Sequence, residues 1–220
     1  MANFDITPLN KLVRGPKRAS YDREQIYDIL DGKFLCHIGY SWQGKTVVIP
    51  TAYGRKQDKI YIHGSLKNRM MLSLTEAGEA CISVTHLDGL VLARSAFHHS
   101  ANYRSVNIFG KVKNIEGKKE KMQALKCILN HMVPDHWEYV RHPNDKELSA
   151  TMVLEISIDT ASAKVRTGDA VDEKEDHELP VWAGIIPISE TVGEPVYDPL
   201  LPDTIKAPES VLNYVKNNNP

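Results

Sequence analysis

The sequence predicts a mainly β protein, an antiparallel barrel with a few added helices. Short runs in which apolar and polar residues alternate recur along the chain, separated by turn residues. Neighbouring runs are joined by short, hairpin-like connections such as Gln43-Gly44. Helical patterns are few and do not alternate regularly with strands, which disfavours a doubly wound parallel sheet.

Taken in order, Asn10–Arg18 is basic and turn-like, broken at Gly15-Pro16. Ser20 is the expected N-cap of a helix over Tyr21–Leu30, with Asp22 and Glu24 in its first turn and Ile26, Ile29 and Leu30 on one face. Phe34–Tyr40 and Thr46–Tyr53 read as a hairpin, and Pro50 marks the second strand as an edge or bulged one. Arg55–Lys59 is a polar turn and Lys59–His63 a third strand. Lys67–Ala77 is a short helix with Met70, Met71 and Leu74 on its apolar side. Ala80–Thr85 and Gly89–Phe97 are the fourth and fifth strands, and Tyr103–Ile115 is a long strand with Val106, Ile108 and Val112 at period two. Lys118–Met132 is the strongest helix, its apolar residues spaced three and four apart and stopped by Pro134. Asp145–Ala150 is a helical turn, Met152–Ile158 a strand, Ala161–Gly168 a basic segment and Asp172–Glu178 a solvated acidic loop. Leu179–Ile188 is apolar and extended, and a proline-rich arm follows from Glu190. The expected division is an N-terminal arm over residues 1–19, one domain over 20–188 and a C-terminal extension over 189–220.

Composition narrows the class of function. With 27 basic and 28 acidic residues in 220, the formal charge is −1, no footprint for nucleic acid or an anionic membrane. No apolar run approaches the ~20 residues of a membrane span, and the N-terminus lacks the order of a secretion signal, so a cytoplasmic protein is expected. Cys36, Cys81 and Cys127 are widely spaced and without a zinc pattern, and are expected to be buried free thiols. Neither GxGxxG nor GxxxxGK[ST] occurs.

Two stretches could carry chemistry. Ser65, Lys67, Asn68 and Arg69 cluster where a strand hands over to a helix. Cations near a helix N-terminus are mildly unfavourable unless an anion joins them, so this cluster reads as a phosphate site. The polar loop within Arg94–Gly110 brings His98, His99, Tyr103, Arg104 and Ser105 between two apolar runs, which suits an anionic ligand. On an extended segment His98 and His99 point to opposite sides, so one of them serves a given site. His63 borders the cationic cluster, and Trp182 is either core or an aromatic wall for a flat ring.

These stretches in this order resemble the pyridoxamine 5′-phosphate oxidase-like, FMN-binding split-barrel superfamily, in its flavin-nucleotide-binding branch related to nitroimidazole-resistance reductases. The carrying residues are His37–Tyr40, Val47–Arg55, Ile60–Met71, Leu87–Val112, Ser162–Gly168 and Leu179–Pro187. The resemblance implies an FMN-binding split antiparallel barrel that forms a homodimer with FMN between the copies. It places Pro50, Thr51, Ala52 and Tyr53 along the isoalloxazine ring and Ser65, Lys67 and Arg69, with Asn68 beside them, on the phosphate. Tyr103, Arg104 and Ser105 match a flavin-contacting strand, although the oxidases carry Arg-Gln-Val where this chain has Arg104-Ser105-Val106. His98 and Trp182, from the reading of the residues above, are added to these expected cofactor contacts, and His63 is the histidine implied beside the flavin. The Arg-x-His that grips the vitamin B6 phosphate is replaced by Val181-Trp182-Ala183-Gly184, which argues against pyridoxamine phosphate oxidation. The expected function is electron transfer through FMN from a reduced nicotinamide nucleotide to a small acceptor. A flavin- or haem-binding carrier or sensor without turnover is the alternative.

Overall fold

The computed structural model describes residues 2–219. Behind the N-terminal arm lie β1 (Ala19–Ser20) and α1 (Arg23–Asp31). The cap of α1 is Asp22, whose side chain accepts the N–H of Gln25; Ser20, the expected cap, belongs to β1. β2 (Leu35–Trp42) and β3 (Lys45–Ala52) form the expected hairpin. Gln43 and Gly44 between them have φ of 49° and 72°, the left-handed pair that a two-residue hairpin loop needs. β4 (Gly54–Lys56) and β5 (Lys59–Ser65) make a second hairpin where a plain turn was expected.

Next come α2 (Arg69–Ala77) and two long strands, β6 (Glu79–Leu92) and β7 (Ser100–Asn114). The sequence led to a break inside β6; the structure has a β-bulge there. Register passes from Leu87 opposite Tyr103 to Gly89 opposite Asn102, leaving Asp88 extra. The inward set changes from Ala80, Ile82, Val84 and His86 to Gly89 and Val91, so the alternation looks interrupted although the strand is not. α3 (Lys118–Met132) and α4 (Asp145–Ala150) have the expected bounds, followed by β8 (Thr151–Ser157). Ala161–Gly168, read only as basic, is mostly β9 (Thr160–Arg166), with Ala161 and Ala163 buried in the core. β10 (Gly184–Pro187) comes from the extended apolar run, and α5 (Glu209–Asn217) was not foreseen.

Every strand pair is antiparallel, in the order β3-β2-β6-β7-β8-β5-β4, with β9 also on β7, β1 on β9 and β10 on β6. The two ends of that order, β3 and β4, are consecutive in the chain, joined through Tyr53, yet do not pair. The sheet therefore returns on itself without closing, as a split barrel. Ile38, Ile60, Ile62, Ile82, Ile108 and Leu154 fill its interior, with the apolar faces of α1 and α2 packed on them. α3 lies directly on β4: a Cβ at Gly54 would stand 2.7 Å from the backbone of Cys127 and Ile128. Cys36 is buried as expected, and burial pushes its thiol up to about 12. Cys81 is not buried, because strand parity turns it outward between Ala80 and Ile82.

Candidate functional site

The cationic corner forms where β5 meets α2. Ile60 and Ile62 point inward from β5, which puts His63 and Ser65 on its outward face. The chain then turns tightly, with the Ser65 carbonyl accepting the N–H of Asn68 at 2.9 Å and Ser65 Oγ that of Lys67 at 3.3 Å. Asn68 is the N-cap of α2: its Oδ1 accepts the N–H groups of Met70 (2.9 Å) and Met71 (3.3 Å). Two of the free amides at this helix start are thus already bonded, so an anion here would be held chiefly by side chains.

Those side chains are free to hold one. No acidic residue lies in the first turn of α2. Among the described residues neither Lys67 nor Arg69 enters an ion pair, whereas Arg23, Arg55, Arg94, Arg104 and Arg141 do. Arg69 is seated by aromatic groups from β2 instead. Its guanidinium carbon lies 4.4 Å from the centre of the Trp42 ring, and its Nε donates to the Tyr40 hydroxyl at 3.3 Å. Tyr40 and Trp42 were not chosen from the sequence, because only the register of β2 brings them to this helix.

The run Pro50–Tyr53 divides by parity. Pro50 lies opposite His37 and Ala52 opposite Leu35, all on the outward face. Thr51 faces the other way, opposite buried Cys36. The side chain of Tyr53 is fully buried, its ring stands 4.8 Å from that of His131, and its hydroxyl donates to the Leu30 carbonyl at 2.5 Å. Four consecutive strand residues cannot all present side chains to one ring.

Arg104 is also engaged elsewhere. Its Nε and Nη2 donate to the two carboxylate oxygens of the bulged Asp88 at 3.0 and 2.8 Å. Nη2 also reaches His86 Nδ1 at 3.3 Å, while His86 Nε2 lies 2.8 Å from the Ile29 carbonyl at the end of α1. Only an N–H can bond that carbonyl, so Nε2 carries the proton, Nδ1 accepts, and the ring is neutral. Burial holds its pKa below the usual histidine value, against the Ile29 carbonyl and together with the Arg104 charge. Asp88 is held below the usual carboxylate range by its hydrogen bonds from Arg104. Ser105 Oγ donates to the Lys164 carbonyl at 3.2 Å, and Tyr103 is half-buried on the outward face. The bulge residue Asp88, invisible as a partner in the sequence, ties Arg104 across the strands.

The loop between β6 and β7 is fixed by Asp172, which belongs to the stretch read as solvated. Its side chain is 1% exposed and bonds the N–H groups of Arg94 and Ser95 and the Arg94 guanidinium. His98 Nε2 lies 3.6 Å from Glu173. His99 Nδ1 lies 3.0 Å from the Ser95 carbonyl and 3.4 Å from the N–H of Ala93, and both contacts engage Nδ1 and none Nε2. Trp182 is 64% exposed and folds back over Gly184, so the core alternative is excluded. A cavity of about 420 Å³ between α1, α3 and α5, lined by His131, Tyr139, Ser210 and Tyr214 among others, includes none of the residues chosen from the sequence.

Within one chain, then, Ser65, Lys67, Asn68 and Arg69 come together with Tyr40 and Trp42. Pro50 and Ala52 share the outer face with His37. His98 and Trp182 lie toward the far ends of β6 and β10, apart from that corner.

The comparisons with known proteins agree with this architecture. A family model described as pyridoxamine 5′-phosphate oxidase matches residues 22–165. The flavocytochrome Anf3 from Azotobacter vinelandii is 38% identical, with a TM-score of 0.89 over 94% of this chain and 96% of that one. The FAD and heme binding protein from Mycobacterium smegmatis is 33% identical, with a TM-score of 0.85 over 89% and 96%. A Bacteroides thetaiotaomicron protein described for 5-nitroimidazole antibiotic resistance is 24% identical, with a TM-score of 0.58 over 67% and 86%, a likeness of fold. No curated protein matches the sequence.

Proposed function

This chain belongs to the pyridoxamine 5′-phosphate oxidase family, and from that premise we propose that it is a redox protein that binds a flavin nucleotide by its phosphate at the start of α2. The observation that carries the reading is a pair of cations, Lys67 and Arg69, without a carboxylate partner among the described residues, one of them pre-seated on Trp42 and Tyr40. The Trp42 ring and the Tyr40 hydroxyl hold the Arg69 guanidinium in place, and its remaining N–H donors suit a phosphate. FMN is the flavin the sequence led to, and FAD is its rival, since a relative 33% identical is described as binding it. When bound, the flavin would supply the electron chemistry, and the chain's residues would bind and orient it. Ser65, Lys67 and Arg69 would hold the phosphate, Pro50 and Ala52 would flank the ring, and His63 stands on the same outward face two residues before Ser65. We read the active form as a homodimer with the flavin between copies and a reduced nicotinamide nucleotide as electron donor. The missing Arg-x-His removes the grip on a vitamin B6 phosphate, so another substrate is in view.

A specific observation favours haem as a second cofactor. The backbone contacts of His99 are all at Nδ1, which leaves Nε2 as the nitrogen a metal would take, and two relatives are described as a flavocytochrome and as a heme binder. Absorption spectra of the purified protein, with mass identification of what heat releases, test both readings. Paired near-ultraviolet and blue bands with FMN or FAD in the extract support the flavin. A Soret band lost in His99→Ala and kept in His98→Ala supports the haem ligand. A colourless protein that takes up neither flavin nor haem refutes the proposal.

A further inference from the structure

Two arms of this chain are unlike the rest of its surface and complementary to each other. The N-terminal arm is not loose. Buried Asn10 pins it to the barrel: its Nδ2 donates to the Asp5 carbonyl at 2.9 Å and to the Ala161 carbonyl of β9 at 3.0 Å, and its Oδ1 accepts the Thr7 N–H at 2.7 Å. Held this way, the arm turns Ile6, Leu9 and Val13 outward, the last of them 82% exposed. Lys11, Arg14, Lys17 and Arg18 are exposed among them and enter no ion pair among the described residues. Asp5 is the single carboxylate over residues 2–20.

The second arm is the proline-rich stretch over residues 193–208. Its ends are fastened: Asn219 exchanges amide hydrogen bonds with Val192, and Ser210 Oγ lies 2.9 Å from His136 Nδ1. Between those points the chain forms a surface loop stiffened by Pro195, Pro199, Pro202 and Pro208. Val196 is 96% and Leu200 92% exposed, and Tyr197 and Ile205 are exposed beside them. Glu194, Asp198 and Asp203 are its charges, with Lys206 the one cation, and none of the three carboxylates enters an ion pair among the described residues.

From these we infer that the basic, apolar N-terminal arm of one copy docks on the acidic, apolar loop 193–208 of a second copy, and reciprocally. Each arm presents apolar side chains that water disfavours and charges predominantly of one sign; the first is fastened to β9 through Asn10, and the second is fastened at its ends to Asn219 and His136, so docking orders little further chain. No other pair of exposed segments described above has this match of sign with apolar content. A two-fold arrangement makes the contact twice, as an isologous interface requires. An anionic bilayer would suit the basic arm alone but would repel the loop. This rests on the homodimer reading above and adds to it the segments that hold the copies together.

Charge reversal tests it by sedimentation at low salt. In Lys17→Glu/Arg18→Glu both arms are acidic, and in Glu194→Lys/Asp203→Lys both are basic. The dimer dissociation constant of each is expected to rise about tenfold or more. An equal mixture of the two variants, in which each docked pair regains opposite signs, is expected to return to the wild-type value. Circular dichroism identical to wild type keeps misfolding apart from dissociation. Wild-type dimers that neither reversal weakens, or weakened variants that mixing does not rescue, overturn the docking while leaving the homodimer standing. A monomeric wild type overturns both.

Discussion

Replacing Arg69 by alanine separates the protein's stability from its affinity for a phosphate. In the free protein small effects oppose each other. Loss of the stack on Trp42 costs about 0.5–1 kcal/mol at such an exposed site. Removal of a cation from the start of α2 gains about 0.3–1 kcal/mol, because the helix dipole disfavours positive charge there. The lost bond to the Tyr40 hydroxyl adds a cost of about 0.5–1.5 kcal/mol, so the unfolding free energy should fall by no more than about 2 kcal/mol. With phosphate bound, the variant lacks a charge-assisted hydrogen bond of about 1.5–3 kcal/mol, or roughly 10- to 150-fold in dissociation constant. Quenching of flavin fluorescence on titration with apoprotein reads that ratio directly. Trp42→Ala should give a smaller loss, since the guanidinium remains but loses its seat. The double variant should match Arg69→Ala alone, because the indole is proposed to act only through the arginine. An Arg69→Ala protein that binds FMN and FAD as tightly as wild type refutes the phosphate site at this corner.

Other predictions follow from the same contacts. His86 and His131 are both held below the usual histidine value by burial, so each is neutral in the fold and charged in the unfolded chain below about pH 6.5. Their stabilisation is present above that pH and falls away as acid is added; the melting temperature should decline from pH 7 to 5, and less steeply in His86→Gln, whereas equal slopes would contradict the neutral assignment. Tyr53→Phe should lose about 1 kcal/mol of stability in urea titrations and leave flavin affinity unchanged, because its hydroxyl serves Leu30 and not a ligand. Gly54→Ala should destabilise by about 1–3 kcal/mol or more, since the new methyl meets the α3 backbone, which cannot swing aside as a side chain can; a neutral effect would mean that α3 does not lie against β4.

What the sequence disclosed and what it hid have physical reasons. The bounds of α3 and α4 were legible because they depend on local spacing and, for α4, on the reciprocal Asn144–Glu147 capping box. The β2–β3 hairpin was legible from its turn residues. The continuity of β6 was not, since a bulge reverses the parity on which alternation depends. α5 was masked by the prolines ahead of it. At the site, the cluster from Ser65 to Arg69 could be found from charge at a helix start. The Trp42 seat and the Asp88 tie on Arg104 come from other strands, and nothing in spacing along the chain predicts them. Asp172 looked solvated because its neighbours are acidic, yet it alone turns in to fasten Arg94.

The indole beneath Arg69 has a consequence for solution conditions. An arginine tethered by a carboxylate is let go when acid neutralises its tether, whereas an aromatic face has no such proton to gain. Mild acidification should consequently leave the anchoring geometry as it is, and the grip on a phosphomonoester should slacken chiefly as the ligand takes up its own proton, near a pH of about 6.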